Sequence, residues 1–234
     1  MPFGYFGSKR RLASTYPAAR HDTIIEPFAG AAGYSLQGDH WTRNVILYDI
    51  NPEVINVWRY LQAATEQQIT DLPDIVAGQP YPVPHDHPAY SMMRWATGGT
   101  SNKNTVGGWP PKRWTPLRLY VASQLHKIRH WQIIEGDYTD APDIEATWFI
   151  DPPYQHQGHR YAFGSTDINY STLGKWAKSR IGQAIVCEQE PADWLPFGHH
   201  ASVRTQIRDN PLVSELIWTN EPALRLFGQG EANG

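Results

Sequence analysis

The sequence predicts an α/β fold: a mainly parallel sheet covered by helices, a C-terminal antiparallel hairpin, and one small inserted segment. Three observations predict it. Short apolar runs alternate with helical patterns along most of the chain, the signature of parallel strands joined by helical crossovers. Two late runs, at 202–207 and 213–218, lie too close together for a helical crossover and read as a hairpin. From 72 to 116 the alternation stops in a stretch rich in Pro, Gly, Ser and Asn, with no long periodic pattern.

The elements follow in order. Residues 23–28 read as the first strand, and Ala29-Gly30-Ala31-Ala32-Gly33 as a tight turn into a helix. Residues 45–48 form the second strand, ending at Asp49. Asn51-Pro52-Glu53 has the form of an N-cap with proline at the first helical position, opening a helix to about Ala64. After the insertion, Leu117, Val121, Leu125 and Ile128 restore helical spacing. Strands at 131–134 and 146–150, a helix near 171–180 and a strand at 184–187 complete the body.

Composition limits the function. The length fits one domain with a modest insertion. A single cysteine, Cys187, rules out an internal disulfide framework, favours a reducing compartment, and reads as a core residue at the end of an apolar strand. No secretory start and no bilayer-length apolar run is visible, so a soluble, cytoplasmic protein is expected. The net charge is −3, yet the interval 87–134 holds no Asp or Glu and seven of the twenty basic residues. A local basic field of this kind steers a polyanion even on an acidic molecule.

The tetrapeptide Asp151-Pro152-Pro153-Tyr154 follows the apolar run 146–150, where a buried strand ends and ligand crevices open in α/β sheets. Two prolines stiffen the backbone and remove two N–H donors. A carboxylate, adjacent carbonyl acceptors and an aromatic face suit a planar ring bearing an exocyclic –NH2. The second site is Phe28-Ala29-Gly30-Ala31-Ala32-Gly33, with Asp49 at the next strand tip, nineteen positions beyond Gly30. That spacing suits a carboxylate accepting from ribose hydroxyls. No Lys-Ser or Lys-Thr follows the glycines, so a nucleoside cofactor without phosphates fits better than ATP.

These landmarks, in this order, resemble the Dam-like DNA adenine methyltransferases of the DPPY type. The resemblance runs from Tyr5-Phe6-Gly7-Ser8-Lys9 through Glu26-Pro27-Phe28-Ala29-Gly30, Asp49, Asp137-Tyr138 and Asp151–Tyr154 to the segment 214–220, leaving out about 67–116. It implies a Rossmann-like methyltransferase sheet, S-adenosylmethionine as cofactor, and transfer of a methyl group to the N6 amine of a flipped-out adenine in double-stranded DNA. Residues 1–66 and 117–234 would form the cofactor-binding catalytic domain, and 67–116 an inserted target-recognition segment. A monomer is favoured, of bacterial or phage origin and of the kind found in restriction–modification systems. No nuclease motif is evident.

The resemblance also implies roles. Tyr5, Gly7, Ser8 and Lys9 would lie near the methionine part of the cofactor. Glu26, Pro27, Phe28, Ala29 and Gly30 would border it, and Asp49 with Ile50 would meet its ribose. Asp137 would face its adenine amine, with Tyr138 adjacent. Asp151, which also borders the cofactor, and the Pro152 carbonyl would accept the target amine's hydrogens. Pro153 would stiffen the turn and Tyr154 would stack on the base. The other reading of Glu26 and Asp137 is as strand-end carboxylates that cap neighbouring backbone.

Within the insertion, Arg94, Lys103, Lys112 and Arg113 are candidates for DNA phosphates or base edges, with Trp95, Trp109 and Trp114 as stacking faces or as core. Gly98-Gly99 and Gly107-Gly108 suggest a loop that orders on binding. The polar stretch 155–161 is expected to be a flexible loop covering the flipped base. His85-Asp86-His87 lacks further ligands in a metal-binding pattern, so no metal is expected. Methylation of cytosine N4 or of an RNA amine remains open, as does a catalytically lapsed protein that binds DNA or cofactor.

Overall fold

The computed structural model describes residues 12–97, 104–106, 114–158, 163–204 and 212–221. Its strands are β1 (Thr23–Glu26), β2 (Asn44–Asp49), β3 (Gln132–Glu135), β4 (Ala146–Ile150), β5 (Gly182–Gln189), β6 (Gly198–Arg204) and β7 (Leu212–Thr219). They form one sheet in the order β3-β2-β1-β4-β5-β7-β6. The first five pair in parallel, and β7 runs antiparallel to both β5 and β6. The chain passes outward through β2 and β3, then restarts at β4 on the other side of β1. Crevices in such sheets open at that reversal, beyond the carboxyl ends of the strands.

The central strands are apolar on both faces because helices cover both. Ile24, Phe149, Ile185 and Cys187 face one cluster; Ile25, Trp148, Ile150, Ala184 and Val186 face the other. The helices are α1 (Pro52–Ala63), α2 (Glu66–Thr70), α3 (Pro88–Ala96), α4 (Trp114–Gln124) and α5 (Tyr170–Lys178). α1 starts where the Asn51 side chain accepts the Glu53 N–H at 3.0 Å, with Pro52 in the first turn. It buries Val54, Val57, Trp58 and Leu61 against the first cluster, while α5 buries Tyr170, Leu173 and Ala177 against the second. Full burial of one aliphatic side chain such as Leu61 contributes about 1.5–3 kcal/mol.

The structure departs from the sequence reading in the first hairpin strand, after the glycine turn and within the insertion. That strand, β6, starts at Gly198 and not at 202. No regular helix follows the glycine turn; residues 30–39 form successive turns. Gly30 and Ala32 take left-handed φ values of 44° and 46°, and Gly38 one of 54°, which interrupts a right-handed helix before it can propagate. In the segment expected to lack periodicity, α3 forms instead. His87 Nδ1 accepts the Ala89 N–H at 3.1 Å to cap it, Pro88 occupies its first turn, and Ala89, Tyr90, Met92, Met93 and Trp95 are buried. Nine residues are too few for helical spacing to stand out by eye.

Among the described residues, the segment 67–116 does not build a core of its own. Ile69, Leu72, Ile75, Met92, Trp95, Val106 and Trp114 belong to the same apolar cluster as Trp58 and Val121. Among the described residues no helix is long and apolar enough to cross a membrane.

Candidate active site

At the tips of β1 and β2, Asp49 braces the glycine turn. Its Oδ2 accepts the Gly30 N–H and its Oδ1 the Asn51 N–H, each at 2.9 Å. The Trp58 indole donates to the Gly30 carbonyl at 2.8 Å, and Ala29 N–H donates to the Tyr48 carbonyl at 2.8 Å. Burial pushes the Asp49 carboxyl up to about 6, opposed by the Asn51 and Gly30 hydrogen bonds. Each carboxylate oxygen keeps a second lone pair, so neither bond exhausts its capacity to accept. Ile50, next along, is 45% exposed.

At the tip of β3, Asp137 Oδ1 accepts the Thr139 N–H at 3.0 Å and the Thr139 hydroxyl at 2.7 Å. It caps the short 3-10 turn Tyr138–Asp140, and Asp140 accepts the Asp137 N–H in return. Tyr138 stacks on Phe28 with ring centroids 5.4 Å apart, which closes the β3 tip onto the glycine turn. Glu26, at the end of β1, is buried and accepts the Ser35 N–H at 2.7 Å. Glu26 and Asp137 thus both serve backbone N–H groups.

At the tip of β4, residues 151–154 form a turn held from several sides. The Tyr170 hydroxyl donates to the Pro153 carbonyl. The Gly158 and Gln157 N–H groups donate to the Tyr154 carbonyl at 2.6 and 3.2 Å. Glu188, fully buried at the end of β5, accepts the Gln155 N–H at 3.2 Å and the Trp194 indole N–H at 2.9 Å. The Tyr154 hydroxyl donates to Glu215 Oε2 of β7 at 2.7 Å.

The carboxylates at these tips influence one another. Burial pushes Glu26 up to about 8, against the Ser35 hydrogen bonds, and the charge of Asp151 adds to the rise. Burial pushes Glu188 up to about 7, against its three N–H donors, and Asp151 again contributes. Tyr154 is raised by burial first, then by Asp151 and Glu215; Tyr16 is raised by burial, Cys187, Asp151 and Glu215. Asp151 is therefore the charge shared by the whole cluster. The arrangement gathers acceptors and aromatic faces where the sheet order reverses, which suits binding and holding a ring amine. Cys187 is fully buried, consistent with its reading as a core residue.

The basic segment looks different once folded. Arg94 pairs with Glu53 of α1, and Arg118 pairs with Asp74 at 3.0 Å and donates to the Leu72 carbonyl. Arg129 donates to the Gln62 and Ala64 carbonyls at the end of α1. These three arginines satisfy acids and helix-end carbonyls, leaving Lys127 over the Trp41 ring, 5.5 Å from its centroid, as the other described cation of the stretch. Trp95 and Trp114 are core residues and not stacking faces; Trp114 is 1% exposed and donates to the Pro73 carbonyl at 2.9 Å. Tyr5, Gly7, Ser8, Lys9, Gly98, Gly99, Lys103, the stretch 107–113 with Lys112 and Arg113, and residues 159–161 lie outside the described residues. Among the described residues no group of three or more His, Cys, Asp or Glu could hold a metal.

The family model of the D12 class N6 adenine-specific DNA methyltransferases matches residues 5–106. The chain is similar to this family over that N-terminal stretch, 102 of its 234 residues. That family is described as N6 adenine-specific DNA methyltransferases. No curated protein matches it. The family match takes in the glycine turn, Asp49 and most of the insertion; Asp137, Tyr138 and residues 151–154 lie beyond it.

Sequence reasoning overlooked several residues that shape this candidate site: Tyr16, Tyr170, Glu188, Trp194 and Glu215. One signal was present. Glu188 directly follows the apolar run 184–187, and Glu215 sits inside the apolar run 213–218. An acid within a buried strand requires a partner.

Proposed function

We propose that the protein methylates the N6 amine of an adenine flipped out of double-stranded DNA, with S-adenosylmethionine as donor. The observation that carries this reading is the turn Asp151-Pro152-Pro153-Tyr154 at the end of β4, beside the glycine turn that Asp49 braces, in a chain whose residues 5–106 match this family's model. The residues at the β1–β3 tips fit such a donor: a half-buried carboxylate with lone pairs to spare, an exposed Ile50 for apolar contact with a ring, and the half-buried Phe28–Tyr138 pair. When bound, S-adenosylmethionine supplies an electrophilic methyl group.

The chain's own residues do the rest. Asp49 accepts from ribose hydroxyls while Gly30 lets the backbone approach. Asp137, whose Oδ1 caps Thr139, offers its second oxygen to the cofactor's adenine amine. Tyr5, Gly7, Ser8 and Lys9 serve the methionine end. A base inside a duplex cannot reach a cleft, so the adenine leaves the stack, and Tyr154 receives it at about 1–3 kcal/mol per stacked base. Asp151 and the Pro152 carbonyl accept the two amine hydrogens. That draws the nitrogen lone pair out of ring conjugation and orients it for attack. Among the described residues the Pro153 carbonyl is taken by Tyr170 and the Pro152 carbonyl accepts no hydrogen bond, which fits this division of labour. The segment 67–116 reads the flanking sequence, chiefly through Lys103, Lys112 and Arg113.

The test is incubation with unmethylated genomic DNA and labelled S-adenosylmethionine, followed by nucleoside digestion. N6-methyl-2′-deoxyadenosine should carry the label. Label in N4-methylcytosine, or none despite cofactor binding, overturns the proposal.

A further inference from the structure

We infer that Glu215 is a positioning residue for Tyr154, holding its ring in the plane on which the target base stacks; the inference rests on the base-flipping reading above. The backbone of the turn has its own supports. Tyr170 holds the Pro153 carbonyl, Glu188 holds the Gln155 N–H, and Gly158 closes back on the Tyr154 carbonyl. Each of these bonds is made to a backbone atom of residues 153–155. The phenol end of the Tyr154 ring is held by Glu215 Oε2 at 2.7 Å. A tyrosine turns about two side-chain bonds, and one hydrogen bond at its far end restrains both.

Glu215 is itself well placed to be a fixed point. It lies on β7 opposite Gln189 of β5, so ladder hydrogen bonds on both sides of β7 set its backbone. Its side chain is 8% exposed, and burial of a carboxylate is tolerated only when it is partnered. A phenol donating to a carboxylate makes a charge-assisted bond, roughly twice as strong as a neutral one. The ring is thereby oriented before the base arrives, so the cost of ordering it is met in folding and not in the encounter with DNA.

The experiment compares Glu215→Leu, Glu215→Gln, Tyr154→Phe and the double variant Tyr154→Phe/Glu215→Leu by kcat, KM for DNA, cofactor Kd and thermal melting. Tyr154→Phe keeps the stacking face but loses the hydrogen bond. It and Glu215→Leu should each lower kcat by about tenfold, the effect of one charge-assisted hydrogen bond, with cofactor Kd unchanged. Glu215→Gln, which retains an acceptor, should recover most of the rate. The double variant should be no slower than the slower single one, because both remove the same bond. Wild-type kcat in a folded Glu215→Leu protein, or losses that multiply in the double variant, overturns the inference. If Glu215→Leu does not fold, Tyr154→Phe decides: wild-type kcat there also overturns it. A wild-type protein that yields no N6-methyladenine sinks the underlying reading; one that methylates adenine while these variants keep full rate sinks only the role of Glu215.

Discussion

Asp49 accepts the Gly30 N–H at 2.9 Å, tying the tip of β2 to the turn that leaves β1. The two strands are already paired in register from Thr23–Asn44 to Glu26–Leu47, and this bond extends their union past the sheet into the site. The same carboxylate holds the Asn51 N–H as the chain enters α1. One side chain therefore fixes the shape of the glycine turn and the start of a helix. Each of its oxygens also keeps a lone pair, which the proposed function uses to bind.

Asp49→Ala should weaken S-adenosylmethionine binding by roughly 10- to 100-fold, since it removes a charged acceptor and the brace on the turn together. Asp49→Asn, which keeps one oxygen, should fall between. Because burial raises the Asp49 carboxyl to about 6, affinity in the wild-type protein should decline as pH falls through that value and the acceptor takes up a proton. Titration calorimetry across pH 5–8 measures both effects; wild-type affinity in Asp49→Ala would sink the assignment.

Asp151→Ala should lower kcat by about 10²-fold or more, the scale of a lost transition-state acceptor or base. Cofactor Kd should change far less, since Asp49 and the glycine turn are proposed to provide most of that site. Single-turnover methylation together with equilibrium cofactor binding separates the two. A variant that loses cofactor affinity but retains kcat would place Asp151 in the wrong role.

What was legible in the sequence was local chemistry. Strand β4 could be read from its apolar run because both faces are buried, and α1 because Asn51 and Pro52 mark its start. The position of residues 151–154 at a strand end followed from the same run. The rest depended on contacts distant in sequence. Tyr154 meets Glu215 across sixty-one positions and Gln155 meets Glu188 across thirty-three, distances no local pattern encodes. The arginines of the acid-free stretch read as a charged surface because acid partners such as Glu53 and Asp74 lie outside that stretch.

Gly158→Ala should damage the turn at residues 151–154 from outside it. A Cβ there would lie 2.8 Å from the Pro153 carbonyl carbon and 2.8 Å from its Cβ, and the first of these is backbone, which cannot swing aside. Relieving the clash must shift the turn, at about 1–3 kcal/mol for overpacking of this kind. A lower melting temperature and a reduced kcat should appear together, with cofactor Kd close to wild type. Unchanged kcat in Gly158→Ala would show that the turn tolerates displacement.

Glu26→Gln should stabilise the protein at neutral and higher pH. Burial holds the Glu26 carboxyl at about 8 in the folded protein against an ordinary 4.5. Below 4.5 both folded and unfolded chains carry the proton, and the group costs nothing. As pH rises from 4.5 toward 8 the unfolded chain ionises first, so stability falls across that window. The amide variant avoids this loss while keeping an acceptor for the Ser35 N–H. At pH 8 it should exceed wild type by at least about 2 kcal/mol in urea unfolding, since one pKa unit corresponds to about 1.4 kcal/mol. The two proteins should converge near pH 4; a constant difference across the range would mean that Glu26 is not the titrating group.

The last prediction separates structural from DNA-facing cations. Arg94 is paired with Glu53 and packed near the Tyr90 ring, 5.8 Å from its centroid. Arg94→Ala should therefore lower melting temperature while leaving the salt dependence of DNA binding nearly intact. Lys112→Ala and Arg113→Ala should do the reverse. A residue that neutralises one phosphate releases about one counterion, so each substitution should flatten the plot of log affinity against log salt by roughly 0.9. The loss should also be similar for any DNA sequence if the contact is to phosphate, and concentrated on the preferred site if it is to a base edge. Fluorescence anisotropy between 50 and 200 mM salt (about the range over which such slopes are resolved) distinguishes these cases. An Arg94→Ala protein whose slope drops by a full counterion would return Arg94 to the DNA interface and make its pairing with Glu53 a resting contact that DNA displaces.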